Sequence, residues 1–287
     1  MPSQTPPPAI TVLSPAKLNL FLHITGRGTD GYHRIQTAFQ LLDWGDTMQF
    51  KPNNSSQVTL SIQDLGIPHD ENLIMRAARL LQAAATKQVI AAGVDIIVDK
   101  RIPAGGGLGG GSSNAATTLL VLNHLWGLSL GTAELLSMAA KLGADVPVFV
   151  GGQSAWAEGI GEILTPLELP ELWFLIIKPD CHVSTAKIFS SEQLTRDSSP
   201  IKLAAFFEGD SRNDCQAIVR SLYPEVDNSL KWLEKFGEAK LTGTGACVFA
   251  SFGTRAEADA AMRQLPEKWT GFVARGLNKS PVLAALE

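Results

Sequence analysis

Apolar residues at every second position mark the first ordered segment. Leu18, Leu20, Leu22 and Ile24 share one face and Lys17, Asn19, Phe21 and His23 the other, as in a strand over 16–24. The GRGTDGYHR segment that follows is dense in glycine and polar residues and reads as a loop. Extended apolar character resumes over 35–50 and again over 58–62. Leu73, Ala77, Leu80 and Leu81 recur at helical spacing and predict a helix over 72–85. A strand over 94–98 leads into a glycine-dense loop over 103–113. The next helix covers 114–126, with Ala116, Leu119 and Leu120 on one face and Gly127 as its stop. Another covers 133–142 and ends at Gly143.

Past Gly151 the texture changes. Residues 152–161 are glycine-punctuated, 173–178 form a strand, and 195–211 are polar and loop-like with a short apolar insert. Helices are expected over 214–221, 226–236 and 255–264, and strands over 247–252 and 271–275. Strands and helices mix without a regular βαβ alternation, which predicts an α+β fold rather than a doubly wound sheet. The change of texture puts a domain boundary within 152–165, taken as 1–156 and 157–287.

Length and composition narrow the classes of function. A chain of 287 residues accommodates two ordinary domains. Hydrophobic residues make up 45% and charged residues 18%, enough apolar material to bury a core. The formal net charge is −4, with no run of Lys or Arg. A nucleic-acid groove or an anionic membrane surface calls for a basic patch, so neither partner is expected. Cys181, Cys215 and Cys247 are far apart and lack C-x-x-C spacing, which reads as three free thiols in a reducing compartment. The five histidines form no metal-spaced pair. The MPSQTPPPAI start reads as a short leader rather than a targeting peptide, and the expected location is cytoplasmic.

The strongest chemical signal is the stretch Pro103, Ala104, Gly105, Gly106, Gly107, Leu108, Gly109, Gly110, Gly111, Ser112 and Ser113. Glycines let the backbone approach a ligand closely, and the helix that follows offers free N–H groups and a positive dipole end. Together they make an anion cradle suited to a di- or triphosphate. Gly105, Gly107 and Gly110 also fit G-x-G-x-x-G, but the loop lies in mid-chain and the nearby acid, Glu134, falls in a predicted helix rather than at a strand end. Gly106 and Gly111 have P-loop spacing, but Ser112 stands where that motif requires Lys. Positive charge must therefore come from elsewhere. Lys17 is one candidate, although alone it reads as a solvent-facing strand lysine. Asp145, in GADVPVF, is a candidate acid or base, although alone it reads as a turn or N-cap aspartate. DGYH at 30–33 and LTGTGA at 241–246 are two further turns, each as compatible with structure as with binding.

Taken in order, PAKLNL, the glycine-dense loop and LTGTGAC resemble the three motifs of the GHMP kinases, named for galactokinase, homoserine, mevalonate and phosphomevalonate kinases. DGYH, GADVPVF and the doubled GGGLGGG resemble the branch acting on a cytidine-diphosphate-linked methylerythritol, in the non-mevalonate route to isoprenoid precursors. The resemblance runs from Ser14 to Pro281. It implies an ATP-binding N-terminal domain of the ribosomal-protein-S5-like type and a ferredoxin-like, substrate-side C-terminal domain. It implies ATP with Mg²⁺ as cofactor, and a monomer or weak dimer. By resemblance Asp145 is the catalytic base and Lys17 bridges it to the γ-phosphate. Tyr32 and Phe189 correspond to an aromatic pair that sandwiches cytosine, and His33 to the group that bonds its edge. Asn19 and Thr185 touch substrate, Gly243, Thr244 and Gly245 lie on the diphosphate side, and Asn72 and Lys100 lie near adenosine. The metal ligands stay open: Ser112 or Ser113 fits the family's serine, and Glu158 and Glu162 lie in the region of its glutamate. The alternative is a kinase of the same fold acting on another small alcohol, such as mevalonate or homoserine.

Overall fold

The computed structural model describes residues 8–29, 31–63, 66–85, 93–209 and 211–287. Its elements in chain order are β1 (Ile10–Arg27), β2 (His33–Asn53), β3 (Val58–Ile62), α1 (Leu73–Ala84), β4 (Gly93–Asp99), α2 (Gly110–Leu125), α3 (Thr132–Leu142), α4 (Val146–Gly151), β5 (Ala155–Glu158) and β6 (Ile163–Pro166). They continue with β7 (Trp173–Lys178), α5 (Thr185–Ser190), α6 (Leu203–Phe207), α7 (Gln216–Leu222), α8 (Pro224–Leu233), β8 (Ala239–Leu241), β9 (Val248–Phe252), α9 (Arg255–Met262), β10 (Thr270–Leu277) and α10 (Pro281–Ala284). Asp30, part of the DGYH turn, lies outside the described residues, as does most of the N-terminal leader.

The long second strand organises the sheet. One edge of β2 pairs antiparallel with β1 along its length. Its other edge changes partner along the way, from β5 at 37–39 to β10 at 41–42 and β4 at 47–53. The path runs β3-β4-β2-β10-β7-β9-β8, with β3 parallel to β4. Predominantly antiparallel pairing with helices laid against the sheet is the α+β arrangement that the sequence predicts.

Three hydrophobic clusters fill it. The first packs α1, α2, α3 and α4 onto β2 and β4, through residues such as Leu41, Phe50, Leu81, Ile96 and Leu119. The second lies under α7, α8 and α9 in the later part of the chain, around Leu175, Ile177, Leu230 and Val248. The third bridges them, with Leu18, Leu42 and Leu108 packed on Phe174, Ile176 and Phe249.

Two sequence expectations change. The strand over 16–24 does not have a wet face: Lys17 (2% exposed), Asn19, Phe21 and His23 are all buried. The reason is the free edge of β1, which loops from both parts of the chain cover. Lys17 N–H donates to Leu108 O at 3.1 Å and Leu22 N–H to Arg212 O at 3.0 Å. Ile24 N–H donates to the Asp214 carboxylate at 2.7 Å. Covering an edge this way removes its row of unpaired groups from water. The stretch over 152–161 is also more ordered than expected, because β5 and β6 form a hairpin added to β2. Residues 156 and 157, expected to flank the domain division, both lie within β5.

Candidate active site

The glycine-rich segment is held from both sides. Gly105, Gly107 and Gly109 all have positive φ (66°, 76° and 73°). A Cβ on Gly107 would stand 2.2 Å from Thr242 O, closer than any real contact, so both conformation and space exclude a side chain there. This closeness exists because the second glycine turn packs on the first. Ala246 N–H donates to Gly105 O and Cys247 N–H to Gly106 O, both at 3.1 Å. Leu108 is the loop's anchor, 1% exposed in the bridging cluster. Cys247, behind Gly106, is a neutral packing residue, its thiol pushed up to about 12 by burial.

Helix α2 starts at Gly110, earlier than the 114 expected from periodicity, so Gly110, Gly111, Ser112 and Ser113 form its first turn. Its first intrahelical bond is Ser113 N–H to Gly109 O, at 2.8 Å. The N–H groups before Ser113 therefore have no intrahelical acceptor and are available to an anion. Beneath this turn lies a buried polar network that sequence reasoning missed. Asp46 is fully buried and accepts from Lys100 Nζ, from Asn114 Nδ2 (3.0 Å) and from the N–H groups of Arg101 (2.7 Å) and Ile102 (2.8 Å). Ser14 Oγ joins Ser113 Oγ (2.8 Å) and accepts from Asn114 Nδ2 and Thr117 Oγ1, both at 3.0 Å. Ser113 is thus a buried structural residue. Lys100 lines the nucleotide-sized cavity, yet its ammonium is committed to Asp46 and Asn114.

That cavity, about 360 Å³, is lined by Asn72, Lys100, Pro103, Ala104, the six loop glycines, Leu108 and Ser112, with Ile62, Ile67 and Leu73 at an apolar end. Asn72 also caps α1, its Oδ1 accepting from Ile74 N–H at 3.0 Å. Phosphate-sized space over main-chain N–H groups beside an apolar slot suits a purine nucleotide.

A second cavity, about 520 Å³, opens on the other side of the loop. Its lining includes Lys17, Asn19, Tyr32, His33, Asp145, Thr185, Phe189, Gly243 and Thr244. Gly107, Gly109 and Ser112 line both cavities, so the two meet there. Lys17 stands at this junction. Its Nζ donates to Asn19 Oδ1 (2.6 Å) and Gly107 O (3.0 Å), and Asp145 Oδ2 lies 3.3 Å away. Asp145 occupies the N-cap position of α4, but its side chain makes no capping bond. It is the turn residue that its sequence context reads as, and its carboxylate, paired with Lys17, keeps about one-third of its surface exposed to the cavity.

In the same cavity, Tyr32 is 62% exposed. The His33 ring stacks on Phe189, with centroids 4.9 Å apart and planes at 25°. Arg196, which sequence reasoning left in an unassigned loop, donates through Nε to His33 Nε2 at 3.1 Å. Burial, then Arg196 and Arg27, hold the His33 imidazole below its ordinary value, so it is neutral at pH 7. The turn at 241–246 is tied by Asn213, whose Nδ2 donates to Leu241 O and Gly243 O, both at 2.8 Å. Thr185 and Thr244 share a hydroxyl hydrogen bond of 2.8 Å. Gly245 lines neither cavity and serves the turn, donating to Thr242 O at 2.9 Å. Glu158 accepts from Gln36 and Glu162 from Ile160 N–H, and neither lines a cavity. Among the described residues no cluster of three His, Cys, Asp or Glu side chains forms a metal site. All three cysteines are free.

Known proteins share this architecture. The family models described as "GHMP kinases N terminal domain" and "GHMP kinases C terminal" match residues 72–153 and 192–271. A curated relative from Pseudomonas aeruginosa (strain UCBPP-PA14) is 55% identical over 97% of this chain and 98% of its own length. One from Hahella chejuensis is 51% identical over 97% of both chains. Both carry the name 4-diphosphocytidyl-2-C-methyl-D-erythritol kinase. A crystal structure of 4-(cytidine 5'-diphospho)-2C-methyl-D-erythritol kinase superposes with a TM-score of 0.81 at 31% identity, covering 93% of this chain and 99% of its own. Motifs, two-cavity geometry and full-length similarity agree: the chain belongs to the GHMP kinase family, and within it to the group of these relatives.

Proposed function

We propose that this protein transfers the γ-phosphoryl group of ATP to the 2-hydroxyl of 4-diphosphocytidyl-2-C-methyl-D-erythritol, giving its 2-phosphate and ADP in the non-mevalonate route to isoprenoid precursors. The supporting observation is the junction of the two cavities at Gly107, Gly109 and Ser112, beside the Lys17–Asp145 pair. ATP lies over the loop with its γ-phosphate at that junction, and the alcohol enters from the larger cavity. The alcohol oxygen bonds to the γ-phosphorus as the bond to the β–γ bridging oxygen breaks. The hydroxyl proton passes to Asp145 and from its exposed side to solvent, and ADP leaves. Phosphoryl transfer asks mainly for positioning and charge stabilisation. Lys17 supplies the charge, held in place by Asn19 and Gly107.

Mg²⁺ is the expected companion ion; it would neutralise charge on the nucleotide's phosphates. Ser112, which lines both cavities, would hold it alongside the nucleotide, since the Ser113 hydroxyl is engaged with Ser14. Dividing the chain within 167–172, after the β5–β6 hairpin, keeps that hairpin with the β2 sheet it extends. One chain lines both cavities, which is compatible with a monomer or weak dimer. Among the described residues no helix is long and apolar enough to cross a membrane, and free thiols fit a cytoplasmic setting.

Coupled ADP release tests the assignment. Turnover is expected with the cytidyl substrate and at least tenfold slower with its uridyl analogue, mevalonate or homoserine. Phosphorylation of mevalonate or homoserine in preference to the cytidyl compound overturns the assignment.

A further inference from the structure

Arg196 stands outside the transfer chemistry, yet two of its four hydrogen bonds reach two residues of the larger cavity, His33 and Phe189. Nε donates to His33 Nε2 at 3.1 Å. Nη2 donates to the main-chain carbonyls of Phe189 (2.9 Å) and Ser191 (2.6 Å), and Nη1 to that of Leu194 (3.1 Å). His33 belongs to the start of β2 and Phe189 to α5, far apart in sequence, so a single planar guanidinium fixes the relation between them. A guanidinium nitrogen can only donate. His33 Nε2 must therefore present its lone pair, and in the neutral ring the proton then sits on Nδ1.

We propose that Arg196 is a positioning residue for base selection: it holds His33 in the Nδ1–H tautomer and keeps the Phe189 ring against it. This rests on the cytidyl substrate proposed above. With Nε2 occupied, the imidazole's remaining hydrogen-bonding atom is a donor. Cytosine offers an unprotonated N3 as acceptor, whereas uracil presents N3–H, and two donors facing each other leave both unpaired. Stacking on an aromatic ring tolerates either base, so the choice falls to this donor. Lysine in place of Arg196 can still donate to His33, but it lacks the planar fork that reaches the Phe189, Ser191 and Leu194 carbonyls.

The test uses the full-length protein. Long-range ¹H–¹⁵N spectra of the unmodified enzyme are expected to show His33 protonated on Nδ1. A His33 protonated on Nε2 overturns the proposal without any variant. Arg196→Met is then expected to populate the other tautomer. It is expected to raise KM for the cytidyl substrate and cut the cytidyl-to-uridyl ratio of kcat/KM by roughly tenfold or more. KM for ATP should not move, and Arg196→Lys should recover part of the ratio. Equal loss for both bases, or an unchanged tautomer in Arg196→Met, overturns the proposal and assigns Arg196 to support of the fold. An unmodified enzyme that fails to prefer the cytidyl compound counts against the substrate assignment, while the tautomer spectra still decide the role of Arg196.

Discussion

Lys17 is a buried ammonium that donates to Asn19 Oδ1 and Gly107 O and forms an ion pair with the Asp145 carboxylate at 3.3 Å. Neither charged partner announced this locally: the lysine reads alone as a strand surface residue and the aspartate as a turn residue. Only the order of motifs along the chain connected them. Replacing Lys17 with Met is expected to lower kcat by roughly 10²–10³ through lost charge stabilisation. It is also expected to cost about 1–3 kcal/mol of stability by stranding buried acceptors, a loss read by urea denaturation. His33 carries a pH prediction. Its pKa is lowered by burial first, then by Arg196 and Arg27. Between that lowered value and about 6.5 the unfolded chain binds more protons, so stability rises with pH across this window, and the contribution of His33 is lost as pH falls through it. Removing the charge in Arg196→Met should shift the His33 midpoint upward, but not fully to the ordinary value, because burial remains. An NMR titration checks this, and a downward shift contradicts it. Arg196 itself was illegible in the sequence, since one arginine in a polar loop carries no period and no motif.

Among elements, the glycine-rich loop shows why legibility varied. Its composition identified it, but its end was misread because Gly-Gly-Ser-Ser makes a poor first helical turn by propensity. Tertiary bonds override that propensity, notably Ser113 to Ser14 and Asn114 to Asp46. The β5–β6 hairpin escaped notice because four-residue strands amid glycines hold too few positions to set a period. Strands β7, β9 and β10 were readable because their apolar runs are longer or denser. Leu108 is the loop's hydrophobic pin. Leu108→Ala is expected to destabilise the protein by about 2–4 kcal/mol, from lost burial and the cavity left behind. It should also raise KM for ATP severalfold, because the glycines on either side lose their anchor. Denaturation midpoints and ATP kinetics check the two effects together. Gly107→Ala is expected to suppress ATP binding, since its Cβ would collide with Thr242 O, and calorimetry of nucleotide binding reads this directly.

At the scale of the molecule, the sheet path from the helix-covered part to the later part crosses at β10 on β2, where two residue pairs are in register, Leu42 with Gly276 and Leu41 with Leu277. The bridging hydrophobic cluster reinforces that join and contains Leu108 itself. The same join therefore seats the glycine-rich loop and the turn at 241–247 against each other, which is what brings two cavities to one edge. Fold class and the two-domain plan were legible from element types and motif order. The sharing of Gly107, Gly109 and Ser112 between cavities was not, because it depends on contacts across more than 130 residues, as in the Thr242 hydroxyl donating to Gly107 O. The central claim is that transfer occurs at this edge, with Asp145 receiving the proton. Single-turnover kinetics of Asp145→Asn with ATP and the cytidyl substrate test it most directly. The account predicts a transfer rate lower by roughly 10²–10⁴ with ATP affinity within a few-fold of the unmodified enzyme; transfer at a near-normal rate would contradict it.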